Sequence, residues 1–298
     1  MIVRIISGII GIIIAAFVIQ FGGVPFALFA ILLSLIGWHE YSRAFFQAGI
    51  SITYIFGAVT ILFMLCCAWL GNIEELLAVI TLGMLAIFLL TVFLNGRISP
   101  VDAGVSIAGV LYIGLPFSHL IWLRFLASED NPIDAIKSTV NFFQAGNFSE
   151  INFSDVLANM NFDVGCMFIW ILFLCTWASD TFAYFVGSAI GSHKLAPSIS
   201  PNKTIEGFLG SVVGTSLTAV VVGHFICGLP LIEMAVAGFI LSIVATLGDL
   251  VESVIKRFTG IKDSGMLIPG HGGVLDRFDS ILYTAPIFYY FILIAGLT

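Results

Sequence analysis

Nine apolar stretches, each about as long as a bilayer is thick, decide what this chain can fold into. They cover approximately Ile2–Gln20, Pro25–Phe46, Tyr54–Leu70, Leu76–Leu94, Val101–Leu126, Val164–Val186, Phe208–Cys227, Leu231–Leu250 and Ile281–Leu297. About 20 apolar residues in a helix span the hydrocarbon core, where only helices or closed barrels satisfy their own backbone groups. The charge content agrees. Only 10 % of the 298 residues are charged, against roughly 25 % in soluble domains, too few to cover a soluble surface. The expected fold is therefore an all-α polytopic membrane protein with about nine transmembrane helices. Three parts follow: N-terminal spans over residues 1–126, a loop over 127–163, and a C-terminal bundle over 164–298 that carries the chemistry.

Basic residues set the orientation. With the N-terminus inside and every stretch crossing, Arg4, Arg43, Arg97, Lys194, Lys203, Lys256, Arg257, Lys262 and Arg277 fall inside. Only Arg124 and Lys137 fall outside, nine against two, so the positive-inside rule selects this arrangement and puts the C-terminus outside. Arg4 ahead of an apolar run resembles a signal peptide. The following Phe21-Gly22-Gly23-Val24-Pro25 lacks a small-x-small cleavage site, so the run is expected to remain as a span. The outer loop is acidic, and Ile133, Ile136, Val140 and Phe143 recur in it at helical spacing, as in a short interfacial helix. It reads as a solvated connector. The five cysteines form no zinc or CxxC pattern and read as small hydrophobes. A net charge of −7 argues against a nucleic-acid partner.

Three polar segments then gather on the basic side. In Ser179–Lys194, the residues Asp180, Tyr184, Gly187 and Gly191 share one helical face. Asp180 there either caps the interface or faces the bundle, and the two glycines suit close helix packing. In Leu195–Ser216, Pro197 and Pro201 forbid a continuous helix and suggest an extended loop. It carries Ser200, Lys203 and Glu206, and Thr204 or a neighbour starts the next helix. In the third segment Ser242, Thr246, Asp249, Ser253 and Lys256 make a polar stripe that must line the protein interior or a wet cavity. Gly260 is expected to end that helix. The loop Ile261–Gly273 is glycine-rich, and such backbone presents N–H groups to anions. Cations at Lys203, Lys256, Arg257, Lys262 and Arg277 share this face with Asp180, Asp249, Asp263, Asp276 and Asp279. Mixed cations and carboxylates beside a glycine loop suit phosphate esters held with Mg²⁺. A transporter also buries charges, but its polar groups would be reachable from both faces.

The stretch Ser253–Asp279, SVIKRFTGIKDSGMLIPGHGGVLDRFD, resembles the signature of the phosphatidate cytidylyltransferase family: Ser-x-apolar-Lys-Arg, then Lys-Asp, then His-Gly-Gly-x-x-Asp-Arg-x-Asp. DTFAYFVGSAIG and PSISPNKTIEG upstream look like the same family, with Asn202 where members often have lysine. The resemblance is strong over 177–280 and extends to the N-terminal spans only in hydropathy. It implies CTP + phosphatidate giving CDP-diacylglycerol + pyrophosphate, at the cytoplasmic face of the cell membrane, by a homodimer. Transfer to another lipid phosphate is the alternative. It further implies Mg²⁺ on Asp249 and Asp276, with K⁺ as a second cation. Lys256 and Arg277 join the two aspartates as catalytic residues. Asp180, Ser200, Lys203, Thr204, Glu206, Ser253, Arg257, Lys262, Asp263, His271, Gly272, Gly273 and Asp279 are expected to bind substrate. His271 is expected in the loop turn or on a phosphate, not in proton abstraction.

The orientation is testable apart from the chemistry. In a background lacking the five native cysteines, Ser149→Cys is expected to react with an impermeant thiol reagent in intact cells. Shielding in cells with labelling only in inverted vesicles would reverse the topology.

Overall fold

The computed structural model describes residues 2–94, 96–126, 163–265 and 272–297. The expected interfacial helix and His271 lie outside these residues. Ten helices follow in order: α1 Ile2–Phe21, α2 Gly23–Gln47, α3 Tyr54–Trp69, α4 Ile73–Phe93, α5 Pro100–Arg124, α6 Val164–Ile190, α7 Ile205–Ala219, α8 Leu231–Thr259, α9 Leu275–Phe278 and α10 Ile281–Ala295. A two-stranded hairpin, β1 Lys194–Ala196 and β2 Ser200–Thr204, separates α6 from α7. Among the described residues, seven segments are long and apolar enough to cross a membrane, α9 and α10 together forming one of them. Two more apolar helices, Ser7–Phe21 and Tyr54–Trp69, are shorter. The chain is thus an all-α polytopic membrane protein, its helices falling on the stretches that hydropathy marks.

Helix α5 sits at the centre and α4 at the periphery: 61 % of the best apolar window of α5 is buried inside the protein, against 11 % for α4. α5 packs on α2, α3, α4, α6 and α10. The reason lies in its side chains. Gly109 and Gly114 let Tyr41 of α2 and Met64 of α3 lie directly against its backbone. Ser99 caps it, accepting from the Asp102 backbone N–H at 3.1 Å, while Asp102 Oδ2 accepts from the Ser99 N–H at 2.8 Å. This reciprocal capping box satisfies two otherwise orphan donors. The other group of helices, α6, α7 and α8, packs mainly on itself, and α10 bridges it to α5.

One departure from the sequence expectation and two expectations that the structure meets matter for the site. The segment around Pro197 and Pro201 is not an open loop but an antiparallel hairpin, with Lys194 opposite Thr204 and Ala196 opposite Ser200. Pro201 survives in a strand because this small ribbon has free edges. The helix after it starts at Ile205 with Thr204 as cap, as expected. It ends in a π-helical turn, Val220–Ile226. As the polar stripe through Lys256 implies, α8 runs on nine residues beyond Leu250, to 29 residues, roughly 43 Å at the helical rise. Gly260 ends it in the left-handed conformation, at φ 72°, as its lack of a Cβ favours.

At the end of α6 remote from the hairpin, Arg124 closes the bundle. Its Nη1 donates to both Asp163 oxygens at 2.8 Å and its Nε to the Ile19 carbonyl at 2.9 Å. Asp163 in turn caps α6, accepting from the Cys166 N–H at 2.6 Å. One guanidinium therefore ties α1, α5 and α6 together. Arg124 is only 3 % exposed, which explains why it departs from the charge asymmetry: it is a packing element. Asp163→Asn is expected to lower the thermal midpoint of the detergent-solubilised protein by several degrees. Because the Asp163 side chain is 41 % exposed, the loss corresponds to about 1–3 kcal/mol rather than a fully buried pair's larger figure. An unchanged midpoint would show that the bridge contributes nothing.

Candidate active site

Polar residues of α6, β2 and α8 converge, with the start of α7, on a cleft of about 470 Å³. Asp180, Tyr184, Lys203, Thr246 and Asp249 line it. Local structure explains how it forms. Thr204 Oγ1 accepts the Gly207 N–H at 3.1 Å, starting α7. The same hydroxyl lies against the helix α6 glycines: a Cβ on Gly187 would come within 2.9 Å of it, and one on Gly191 within 2.7 Å. The small-residue face of α6 therefore lets the start of α7 approach, while Asp180, on that face, opens onto the cleft. Deeper in, the hydroxyls of Ser179 and Ser211 meet at 2.8 Å and are buried.

Two carboxylates on this side are held differently. Asp249 Oδ2 pairs with Lys203 Nζ at 2.7 Å, and Ser253 Oγ donates to its Oδ1 at 3.3 Å. Asp276, at the start of α9, is enclosed. Its Oδ1 accepts from Lys256 Nζ at 2.9 Å, and its Oδ2 accepts from Ser264 N, Ser264 Oγ and Gly273 N, each at 2.8 Å. The side chain of Asp249 is 31 % exposed and that of Asp276 only 6 %. Lys256 also pairs with Glu252, one turn back on α8. Gly272 has φ 86°, and a Cβ there would come within 2.5 Å of Asp276 Oδ2, so the turn closes on the carboxylate only with glycine.

In the loop expected to present backbone N–H groups to an anion, those of Ser264 and Gly273 donate to the Asp276 carboxylate. Other expected substrate contacts are likewise used internally. Thr204 is a helix cap. Glu206 accepts from the Ser192 N–H at 3.1 Å and pairs with His193 Nδ1 at 2.6 Å, fastening the hairpin base to α7. Arg257 Nε donates to the Ile199 carbonyl at 3.3 Å, next to Ser200 in β2. Lys262 and Asp263 line a separate crevice with Arg43 and Gln47. By contrast, the charges of Asp249, Lys203 and Arg277 all act on Asp180. Asp279 belongs to the same group: Asp249 and Asp180 act on it, and its carbonyl packs against Gly248, where a Cβ would come within 2.7 Å. The sequence reading left out His193, Ser264 and, above all, Glu40. An ionisable residue inside an apolar run is itself a signal, and Glu40 carries it.

The donor set bears on a metal. Among the described residues no three His, Cys, Asp or Glu side chains group closely enough to hold an ion by themselves. Mg²⁺ commonly takes one or two carboxylates and fills its shell from substrate phosphates and water. Asp249, with hard oxygens on the cleft wall, fits that requirement. Asp276 would first have to release a hydrogen bond.

Sequence comparison agrees with the geometry. The profile of the Cytidylyltransferase family matches residues 2–295. A phosphatidate cytidylyltransferase of Staphylococcus haemolyticus is 33 % identical over 290 residues, covering 96 % of each chain. That of Synechocystis is 34 % identical over 98 % of this chain and 96 % of its own, and that of Bacillus subtilis 29 % over 96 % of both. With a polar cleft lined by Asp180, Lys203 and Asp249 and a match that runs nearly end to end, the chain belongs to the cytidylyltransferase family.

Proposed function

We propose that this protein transfers the cytidylyl group of CTP to phosphatidate, giving CDP-diacylglycerol and pyrophosphate, in a cleft at the cytoplasmic face of the membrane. The observation that carries the reading is the Lys203–Asp249 pair on the wall of the cleft. A lysine and a carboxylate that satisfy each other at rest are the groups that a phosphate and a cation would separate. The family relationship and the names of the relatives support the substrates. The excess of basic residues on this side supports the orientation.

The chemistry needs no general base. The nucleophile is an oxygen of the phosphatidate phosphomonoester, largely ionised at neutral pH because the second pKa of such esters is about 6. It forms a bond to the α-phosphorus of CTP. The bond from that phosphorus to the oxygen bridging to the β-phosphorus breaks, and pyrophosphate leaves with its electron pair. The obstacle is repulsion between two anions, so positioned positive charge supplies the rate. Lys203 Nζ, freed from Asp249, holds a phosphate oxygen beside the reacting centre. Arg277 lies close enough for its charge to act on Asp180 and serves the same end. Mg²⁺, bound through Asp249 and the phosphates of CTP, would supply further charge neutralisation. Asp276 keeps Lys256 and the turn in place, and a shared ion with Asp249 requires it to exchange one of those partners.

Purified protein in detergent with CTP, Mg²⁺ and phosphatidate is expected to release pyrophosphate. Release with other lipid phosphates but not phosphatidate would point to the alternative acceptor, and solute flux without pyrophosphate release would overturn the reading. Lys203→Ala, Arg277→Ala and Asp249→Asn are each expected to lower kcat/KM by about 10²-fold or more while the proteins still insert. Asp249→Asn should also raise the Mg²⁺ concentration needed for half-maximal rate. Near-normal turnover of Lys203→Ala and Asp249→Asn together would remove the cleft from the reaction.

A further inference from the structure

Glu40 stands at the cleft-side end of α2, in the half of the chain that carries none of the signature. Its residue is 4 % exposed. Yet Oε1 accepts the Val274 N–H and Oε2 the Leu275 N–H, both at 2.9 Å, and Ser264 Oγ, whose proton goes to Asp276, lies 3.3 Å from Oε2. Two further signature residues crowd the same carboxylate: a Cβ on Gly265 or on Gly273 would collide with Oε1. One turn before Glu40, Gly37 leaves room for the Leu275 side chain, whose Cδ2 would be 3.2 Å from a Cβ there. The contact is therefore a fitted socket, formed by residues more than 220 positions apart.

The socket is rigid on the α2 side. Trp38 Nε1 donates to the Tyr54 carbonyl at 2.9 Å and Tyr41 Oη to the Val105 carbonyl at 3.1 Å. The Trp38 and Tyr41 rings stack at 5.8 Å. These bonds fix α2 on α3 and α5, so the position of Glu40 is set by the N-terminal helices. We propose that Glu40 is a positioning residue for cytidylyl transfer: its carboxylate sets the turn from which Asp276, Arg277 and Asp279 project. The chemistry of the contact demands a carboxylate. A backbone N–H faces each of the two oxygens, and an amide would turn its own N–H₂ toward one of them. Hydrogen bonds to an ionised acceptor are also about twice as strong as neutral ones. The same reasoning accounts for Gly265 and Gly273 in the signature: the space that their Cβ atoms would fill is occupied by Glu40.

The role rests on the function proposed above, and its test separates the two. Glu40→Gln, Glu40→Asp, Gly265→Ala and the double variant Glu40→Asp/Gly265→Ala are purified in detergent. For each, kcat and the KM for CTP and for phosphatidate are measured, with hydrogen exchange of peptides spanning 272–278 and of peptides from α3 and α5. Glu40→Gln is expected to lower kcat at least tenfold, with the KM for phosphatidate within threefold. Exchange over 272–278 should rise at least tenfold while α3 and α5 stay unchanged. Glu40→Asp should retain part of the rate. Gly265→Ala should cost less in the Glu40→Asp background than in the unaltered protein, because the shorter side chain vacates the space; such non-additivity marks direct coupling. Unaltered kcat in Glu40→Gln, or exchange that rises equally over all helices, would overturn the proposal. If the unaltered protein releases no pyrophosphate, the function falls, and exchange over 272–278 in Glu40→Gln still decides whether the socket exists.

Discussion

Irregular backbone buried between helices must find partners for its N–H groups, because neither water nor a repeating helix supplies them. In this protein two carboxylates do so. Glu40 takes the N–H groups of Val274 and Leu275, and Asp276 takes those of Ser264 and Gly273. The turn between α8 and α10 exists because these four donors are satisfied. From it follow the placement of Lys256 against Asp276, the seating of the Asp279 carbonyl on Gly248, and the closure of α8 against the C-terminal span. One carboxylate comes from within the turn and the other from the opposite half of the chain, so the two halves of the protein are joined at the point where the chemistry is arranged.

Much of this was legible in the residues. Long apolar stretches name the spans because their length and the bilayer's thickness are the same physical quantity. The polar stripe from Ser242 to Lys256 is visible for the same reason: polar groups at helical spacing in an oily run must face inward. Thr204 as helix cap and Gly260 as helix end follow from local hydrogen bonding and backbone freedom. The hairpin was not legible, since two prolines in five residues argue against a ladder, and only the ribbon's free edges admit one. Glu40 was missed for a different reason. A single carboxylate near the end of a span resembles a side chain reaching for the interface, and its partners lie over 220 residues away. Spacing arguments reach along one helix and stop there. The glycines of the signature were read as flexible backbone, whereas two of them are empty volumes that another side chain occupies.

The division of labour between Asp249 and Asp276 has the same origin. Both are aspartates beside cations in the sequence, and nothing in their spacing tells them apart. Surroundings separate them. Asp249 is on the wall of a cleft, with one lysine across from it and solvent alongside; Asp276 is inside a turn, with four donors around it. The first can trade partners at low cost. The second is part of the frame.

The Lys203–Asp249 pair gives the resting cleft a property that neither residue has alone. With their charges neutralised by one another, neither Lys203 nor Asp249 is free to draw an anion or a cation arriving singly. A cation that takes Asp249 releases Lys203, and the released ammonium then favours an anion; an anion that draws Lys203 away leaves Asp249 ready for a cation. By reciprocity each raises the affinity of the other by the same factor. On the function proposed above, the pair would act as an interlock that favours a metal–nucleotide complex over either component, and would return to self-neutrality when both have left.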